Sequence, residues 1–179
     1  ADEMVEAMRE HLYSKGHERF YRALNSNDDE NFEPDTTIDA SMFATFYFGA
    51  FDVDDELVEN TMKAIEQELW VKGLIGGVAR FNDDGYMRIS EDFTGNAWFI
   101  CTLWLADYRI AVAKQKSDLK GVIELLEWTA KNALQSGVLA EQINPKDASP
   151  VSVSPLTWSH STFVATVVNY LKKLEEFEK

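Results

Sequence analysis

The sequence alternates two kinds of helical segment, and this alternation most restricts the folds available to the chain. Three segments place apolar side chains on one stripe and charged side chains elsewhere: about residues 2–14, 54–71 and 117–134. Three others are apolar on most sides: about residues 39–51, about residues 96–112, and the segment from Ser154 onward. A one-sided helix needs a core on one face, whereas an apolar helix is buried between other elements. We therefore predict outer and inner helices in turn.

Three outer/inner helical hairpins are compatible with two all-α architectures. One is an α-solenoid, and the other is an arc of an α/α toroid. The sequence has no repeat of fixed period, which argues against a regular solenoid. In the sixth helix we predict Ser154 as the N-cap and Pro155 as the first helical residue.

The connections between the helices predict where a binding site lies. Those before the inner helices are long: residues 26–37, 73–95 and 141–153. Those before the outer helices are short. Long loops in a compact domain are usually functional, and these three emerge at one end of the hairpin stack. We expect the site at that end, where the inner helices begin.

Composition excludes several classes of function. The net charge is −14 and the pI is about 4.5, without the Lys and Arg cluster that nucleic-acid binding needs. The most apolar window is interrupted by Asp107 and Arg109, well short of the roughly 20 residues that cross a bilayer. The N-terminus does not resemble a signal peptide. The single cysteine, Cys101, forms no intrachain disulfide and suggests a reducing compartment. We expect a soluble, cytoplasmic, single-domain chain.

Glu141 is the strongest candidate for chemistry. It lies in the stretch GVLAEQI, among small and aliphatic neighbours and next to the amide of Gln142. A partly desolvated carboxylate is suited to act as a general base that activates water. The alternative is an ordinary acid near a helix terminus, and the residues by themselves leave both open.

Three further residues are candidates for ligand binding. Trp98 begins the fourth helix, and Trp158 lies on the far side of the sixth helix from an apolar arc that we expect to pack in the core: Leu156, Phe163, Val164, Val167, Leu171 and Leu174. Indole rings beside polar loops suit a sugar ring, although core packing explains them equally. Arg80 presents a fork of donors that suits vicinal hydroxyls, or it pairs with Asp83 or Asp84.

No cofactor or metal ion is predicted. His11, His17 and His160 are scattered without a metal-ligand spacing, and neither a GxGxxG nor a GxxxxGK[ST] motif occurs.

Four strings, in this order and at these intervals, resemble glycoside hydrolase family 15, the glucoamylases and related α-glucosidases: GGVARFNDDGY, GNAWFICTLWLA, GVLAEQINP and PLTWSH. The resemblance extends from TIDASM onward and is to the C-terminal half of the catalytic domain. It implies that residues 1–179 form part of an (α/α)6 toroid, with about six of its twelve helices. Ala97 stands where the family usually has Pro.

The resemblance also implies roles for the candidate residues. Glu141 matches the catalytic base, Arg80 matches a residue that binds sugar, and Trp98 and Trp158 match residues that line the pocket. Gln142 is expected to orient neighbouring groups. The substrate would be an α-glucoside, such as a maltooligosaccharide or trehalose, cleaved from its non-reducing end.

The family's general acid has no counterpart in this sequence. An inverting glycosidase needs two carboxyl groups, about 6.5–9.5 Å apart. We therefore expect an incomplete, inactive chain whose open flanks self-associate or pair with the N-terminal half. The alternative is a non-catalytic helical module that binds another protein.

Overall fold

The computed structural model describes residues 1–26 and 31–179, and its frame is a set of packed helices. The α-helices are α1 (Asp2–Ala7), α2 (Ala44–Tyr47), α3 (Glu56–Leu69), α4 (Phe99–Val112), α5 (Lys120–Lys131) and α6 (Thr157–Glu176). Shorter turns adjoin three of them: the π-helical Met8–Leu12, and the 3₁₀ turns Ala40–Phe43 and Lys116–Leu119. The predicted all-α class with about six helices is confirmed, although small sheets accompany the helices.

Burial along α3, α4 and α5 follows the predicted alternation of outer and inner elements, whereas α6, predicted to be an inner helix, buries only Ser159 and Thr166. α4 lies at the centre, and every residue from Phe99 to Asp107 is buried. α3 instead buries one stripe, which includes Val58, Met62 and Ile65, as expected for an outer helix. α5 likewise buries Val122, Leu125 and Thr129. Each fully buried aliphatic side chain stabilises the fold by about 1.5–3 kcal/mol, so α4 anchors the core.

The second helical segment is shorter than predicted. The expected helix over residues 39–51 is a 3₁₀ turn followed by the single turn of α2, and it ends before Gly49, whose φ is +75°. Asp39 caps it by accepting a hydrogen bond from the Ser41 amide at 2.8 Å.

The first and sixth helices also differ from prediction at their ends. The first gives way to an extended chain at Tyr13, where residues 13–14 pair as a strand. α6 begins at Thr157, and Leu156 occupies the N-cap position predicted for Ser154. The reason is that the Leu156 amide donates to the Leu139 carbonyl at 3.0 Å, which holds Leu156 in an extended conformation. Pro155 therefore precedes the helix.

The predicted apolar arc of α6 is confirmed only in part: Phe163 and Leu174 pack partly buried against the core, but the fully buried contacts of α6 are polar. Ser159 and Thr166 are its buried residues, whereas Val164 and Leu171 are exposed. The cause is the buried Asp107 of α4, which accepts hydrogen bonds from the Thr166 hydroxyl at 2.9 Å and from the Asn169 amide at 3.0 Å. A buried carboxylate needs such partners, so it fixes which face of α6 turns inward.

Three small antiparallel sheets that were not predicted join the connections, and two of their strands replace the end of the first predicted helix and the start of the fourth, so that Trp98 precedes α4 rather than beginning it. Strands β1 (Tyr13–Ser14) and β2 (Arg19–Phe20) form the first, and β3 (Ala23–Ser26) and β4 (Phe32–Asp35) form the second. Strands β5 (Ala97–Trp98), β6 (Gln142–Ile143) and β7 (Pro150–Val151) form the third, in that order. The predicted loop over residues 26–37 therefore contains β4, and its residues 27–30 lie outside the described residues.

None of the helices in the described parts of the chain combines the length and apolar character that a membrane crossing requires.

Candidate active site

The third sheet fixes Glu141 at the beginning of the central helix. Trp98, which directly precedes α4, pairs with Gln142 across β5 and β6. The Glu141 carbonyl accepts from the Phe99 amide at 3.4 Å, and the Glu141 amide donates to the Val153 carbonyl at 2.9 Å. The backbone of Glu141 is therefore held on both sides at the end of the stack where the site was predicted.

The Glu141 carboxylate is oriented by a buried amide network. Glu141 is half-buried, and its Oε2 accepts from Nε2 of the fully buried Gln142 at 3.3 Å. Gln142 Oε1 accepts from Asn96 Nδ2 at 2.8 Å, and Asn96 also bonds the backbone of Met87 and Ile89. Both amides are thus fixed, because rotation would break hydrogen bonds that water cannot replace.

The chemical consequence is a carboxylate whose position is fixed by hydrogen bonds. Within the parts of the chain that the structure describes, no cation pairs with Glu141, in contrast to Asp84 or Asp35. Such a group is able to take a proton from a water molecule in reach of its free oxygen.

Arg80 lies on the ring of Trp98 and is held by Asp84. Its Nε and Nη2 donate to the two Asp84 oxygens at 2.8 and 2.7 Å, and its guanidinium carbon lies 4.6 Å from the Trp98 ring centroid. The hydrogen bond to Asp84 raises the pKa of Arg80. Of the two predicted carboxylate partners, Asp84 rather than Asp83 is the one used. Nη1 makes no hydrogen bond with the described residues, so it remains available to a ligand.

The predicted tryptophans occupy different environments. Trp98 is 4% exposed and underlies Arg80 and Tyr86, whose ring centroid lies 6.3 Å away. Trp158 is 53% exposed, on the first turn of α6. Both were predicted to line a pocket, but the structure places Trp98 beneath Arg80, almost fully buried, and Trp158 at the surface.

Trp158 forms one side of a cavity of about 500 Å³ between α2 and α6. Its ring lies 5.8 Å from Trp104, which stacks on Phe43 at 4.2 Å. The next residue, Ser159, donates to the carbonyl of Ala140 at 2.8 Å, so this turn is tied to the segment that leads into Glu141. The structure thus links all the predicted site residues to one end of α4.

Sequence reasoning missed two residues. Tyr86 is half-exposed above Trp98, and its hydroxyl is 3.1 Å from Ser152 Oγ. Asn96 holds Gln142 in place. The sequence feature that could have identified Asn96 is its position directly before β5, where its buried amide joins the connections over residues 73–95 and 141–153.

No metal centre is present among residues 1–26 and 31–179, which contain no group of three His, Cys, Asp or Glu placed to hold an ion. Cys101 is buried in α4, and this burial raises the pKa of its thiol, so it is a core residue rather than a nucleophile.

Comparison with solved structures defines the class of fold. A bacterial glucoamylase complexed with acarbose superposes with a TM-score of 0.80 at 20% identity, over 96% of this chain and 28% of that chain. The helices described above thus form part of a glucoamylase-type (α/α)6 toroid.

The sequence comparison identifies the family. The profile of glycosyl hydrolases family 15 matches residues 1–168, and the chain belongs to this family. An uncharacterized glycosyl hydrolase of Methanocaldococcus jannaschii is 34% identical over 166 residues, which cover 87% of this chain and 24% of that protein. Trehalase 1 of Sulfolobus acidocaldarius is 26% identical over 145 residues, which cover 79% and 22%. The chain therefore spans about a quarter of the length of these relatives.

Proposed function

We propose that this chain is the base-bearing part of an inverting glycoside hydrolase that releases glucose from the non-reducing ends of α-glucosides. The observation that carries the proposal is the half-buried Glu141 carboxylate, fixed by Gln142 and without a cation among the described residues. The trehalase and glucoamylase relatives favour trehalose or maltooligosaccharides as substrates.

In the proposed reaction Glu141 acts on water. It accepts a proton as the water oxygen attacks the anomeric carbon, while a carboxylic acid on the opposite face protonates the departing glycosidic oxygen. The two carboxyl groups of an inverting enzyme lie about 6.5–9.5 Å apart, which leaves room for the water. Asp84 is engaged by Arg80 and is unsuited to be this acid. We place the acid in the N-terminal half of the catalytic domain, with residues 1–179 as the C-terminal half.

The sugar is held by groups around the carboxylate. Arg80 donates to sugar hydroxyls through Nη1, while Trp98 supports the guanidinium from below. The exposed indole of Trp158 offers a flat face to a pyranose ring. Gln142 keeps the Glu141 oxygen in place and so acts as a positioning residue.

The exposed face of α6 supports the pairing of this chain with the N-terminal half. Three apolar residues lie on it, between 42% and 61% exposed: Val164, Val168 and Leu171. Monomeric proteins rarely leave such a stripe uncovered. The bacterial glucoamylase chain is more than three times as long as this chain, so further helices of the same ring are the favoured occupant. A sedimentation experiment on the chain alone tests this, since the uncovered face would drive self-association, and a monomer at high concentration contradicts it.

The same face favours a second candidate function, a non-catalytic module that binds another protein. In that case Glu141 is incidental, and no carbohydrate reaches it.

The location, in either case, is proposed to be cytoplasmic, in keeping with the lone unpaired Cys101.

The test is glucose release from trehalose and a maltooligosaccharide series by this chain, with and without the N-terminal half added in trans. The proposal expects release only from the mixture, and release of β-glucose first from the α-linked substrate because the reaction inverts. A mixture that forms a complex but releases no glucose would favour the interaction module.

A further inference from the structure

A groove on the outer side of the helices shares no lining residue with the site of Glu141. This outer groove has a volume of about 540 Å³, within the range of about 300–1,000 Å³ typical of ligand pockets. It lies between α3 and α5, and the residues that matter here are Glu66, Gln67, Trp70, Lys72, Glu124 and Trp128. Both helices are outer elements of this chain.

Two tryptophans form fixed walls of the outer groove. The indole of Trp70 packs so closely on Gly76 that a Cβ there would lie 2.9 Å from its Cζ2. Trp128 Nε1 donates to the Ile75 carbonyl at 2.7 Å, and its ring packs on Gly77. Rings that are already immobile lose little entropy on binding, so they provide preformed apolar surfaces.

The polar rim of the outer groove has unused hydrogen-bonding groups. The side chains of Gln67, Lys72 and Glu124 make no hydrogen bond or ion pair with any residue that the structure describes. They offer an amide, an ammonium and a carboxylate to a ligand, so both donors and acceptors are present.

The charges of the outer groove select against an anionic ligand. Arg109 is paired with Glu66 and donates to the Gly121 carbonyl at 3.2 Å, so its charge is already engaged. A phosphate or carboxylate ligand would contact Lys72, but the carboxylates of Glu66 and Glu124 in the same groove would repel it. A neutral polyhydroxylated ring fits better, because its C–H face packs on indole and its hydroxyls bond to carboxylate and amide.

We propose that the outer groove is a second carbohydrate site, which binds the pyranose rings of a neutral oligosaccharide. It performs no chemistry, and its occupancy does not depend on Glu141. A chain held there stays attached to the protein while other ends reach the hydrolytic site, which raises their local concentration.

The test is a titration of the chain with maltoheptaose, followed through the indole N–H resonances by NMR. We expect the resonances of Trp70 and Trp128 to shift, and the double variant Gln67→Ala/Glu124→Ala to bind about tenfold more weakly, as the loss of two hydrogen bonds implies. Glu127→Ala, an exposed acid on the same helix, is the matched control and should bind like the original chain. Glu141→Gln should also leave this binding unchanged, which separates the outer groove from the proposed active site.

Three results would overturn the proposal. One is the absence of any shift at Trp70 and Trp128 at millimolar maltoheptaose. Another is an equal affinity of the Gln67→Ala/Glu124→Ala variant, with its circular dichroism spectrum unchanged. The third is a response of these resonances to a basic peptide such as hexalysine but not to the sugar, which would assign the groove to a cationic ligand.

Discussion

Replacement of Gly77 by alanine tests the close packing that holds the loop before β5 against α5. Gly77 has a φ of +89°, and a Cβ at this position would lie 2.4 Å from Trp128 Cζ2 and 2.8 Å from Ala97 Cβ. Neither neighbour is free to move, because Trp128 is pinned to the Ile75 carbonyl and Ala97 belongs to β5. Gly77→Ala therefore combines backbone strain with a steric clash.

The expected loss of stability follows from these two costs. A left-handed backbone costs a non-glycine residue about 1–2 kcal/mol. Overpacking of a well-packed region costs about 1–3 kcal/mol more. We expect Gly77→Ala to lower the free energy of unfolding by about 2–5 kcal/mol, measured by urea denaturation with linear extrapolation.

Gly137→Ala provides the matched control. Gly137 has a similar φ of +79°, but no atom lies within 4 Å of the position of its Cβ. Only the backbone cost of about 1–2 kcal/mol applies to it. The difference between the two variants isolates the contact with Trp128 and Ala97. Equal losses within about 0.5 kcal/mol would refute the claim that this packing is tight.

Three other predictions concern carboxylates. Burial raises the pKa of Asp107, so the folded state retains a proton that the unfolded state has lost, and the free energy of unfolding falls as pH rises from about 4 through the folded pKa. Asp107→Asn should therefore gain stability relative to the original chain over this pH window. A difference in unfolding midpoints that does not change with pH would contradict this prediction. Hydrogen bonds from Thr37, and to a smaller extent from Arg22, lower the pKa of Asp35 to about 2. Asp35→Asn should destabilise the protein near neutral pH, and this loss of stability should shrink as pH falls from about 4 toward 2. A loss that stays constant with pH would show that the ionised form of Asp35 is not its cause. Asp84→Asn removes the buried charged partner of Arg80 and should lower the free energy of unfolding by about 1.5–3 kcal/mol, measured by urea denaturation. An unchanged unfolding midpoint would show that the ion pair does not stabilise the fold.

The sequence predicted the helices well where hydrophobic periodicity alone decides the structure. α3 and α4 are examples, because one has a clear apolar stripe and the other is apolar throughout. α6 shows the limit. Its inward face is set by Asp107, a residue about sixty positions earlier, and no pattern within the helix reports that contact.

The candidate site was predictable in part for a related reason. Arg80, Trp98, Glu141, Gln142 and Trp158 were singled out from local strings and from a family resemblance, and the structure places them at one end of α4. Their exposure was not predictable, because it depends on how two-residue strands from distant connections pair.

The role of Glu141 is tested most directly by the turnover of Glu141→Gln in the assembled catalytic domain, with this chain and its N-terminal half together. A control, Glu91→Gln, changes an exposed acid of another connection. We expect kcat for the hydrolysed α-glucoside to fall by at least about a hundredfold in Glu141→Gln, while KM and the stability of the fold change little. The reason is that the amide keeps the shape of the side chain but cannot accept the proton of water. A kcat within about twofold of that of the Glu91→Gln control would contradict the assignment of Glu141 as the base.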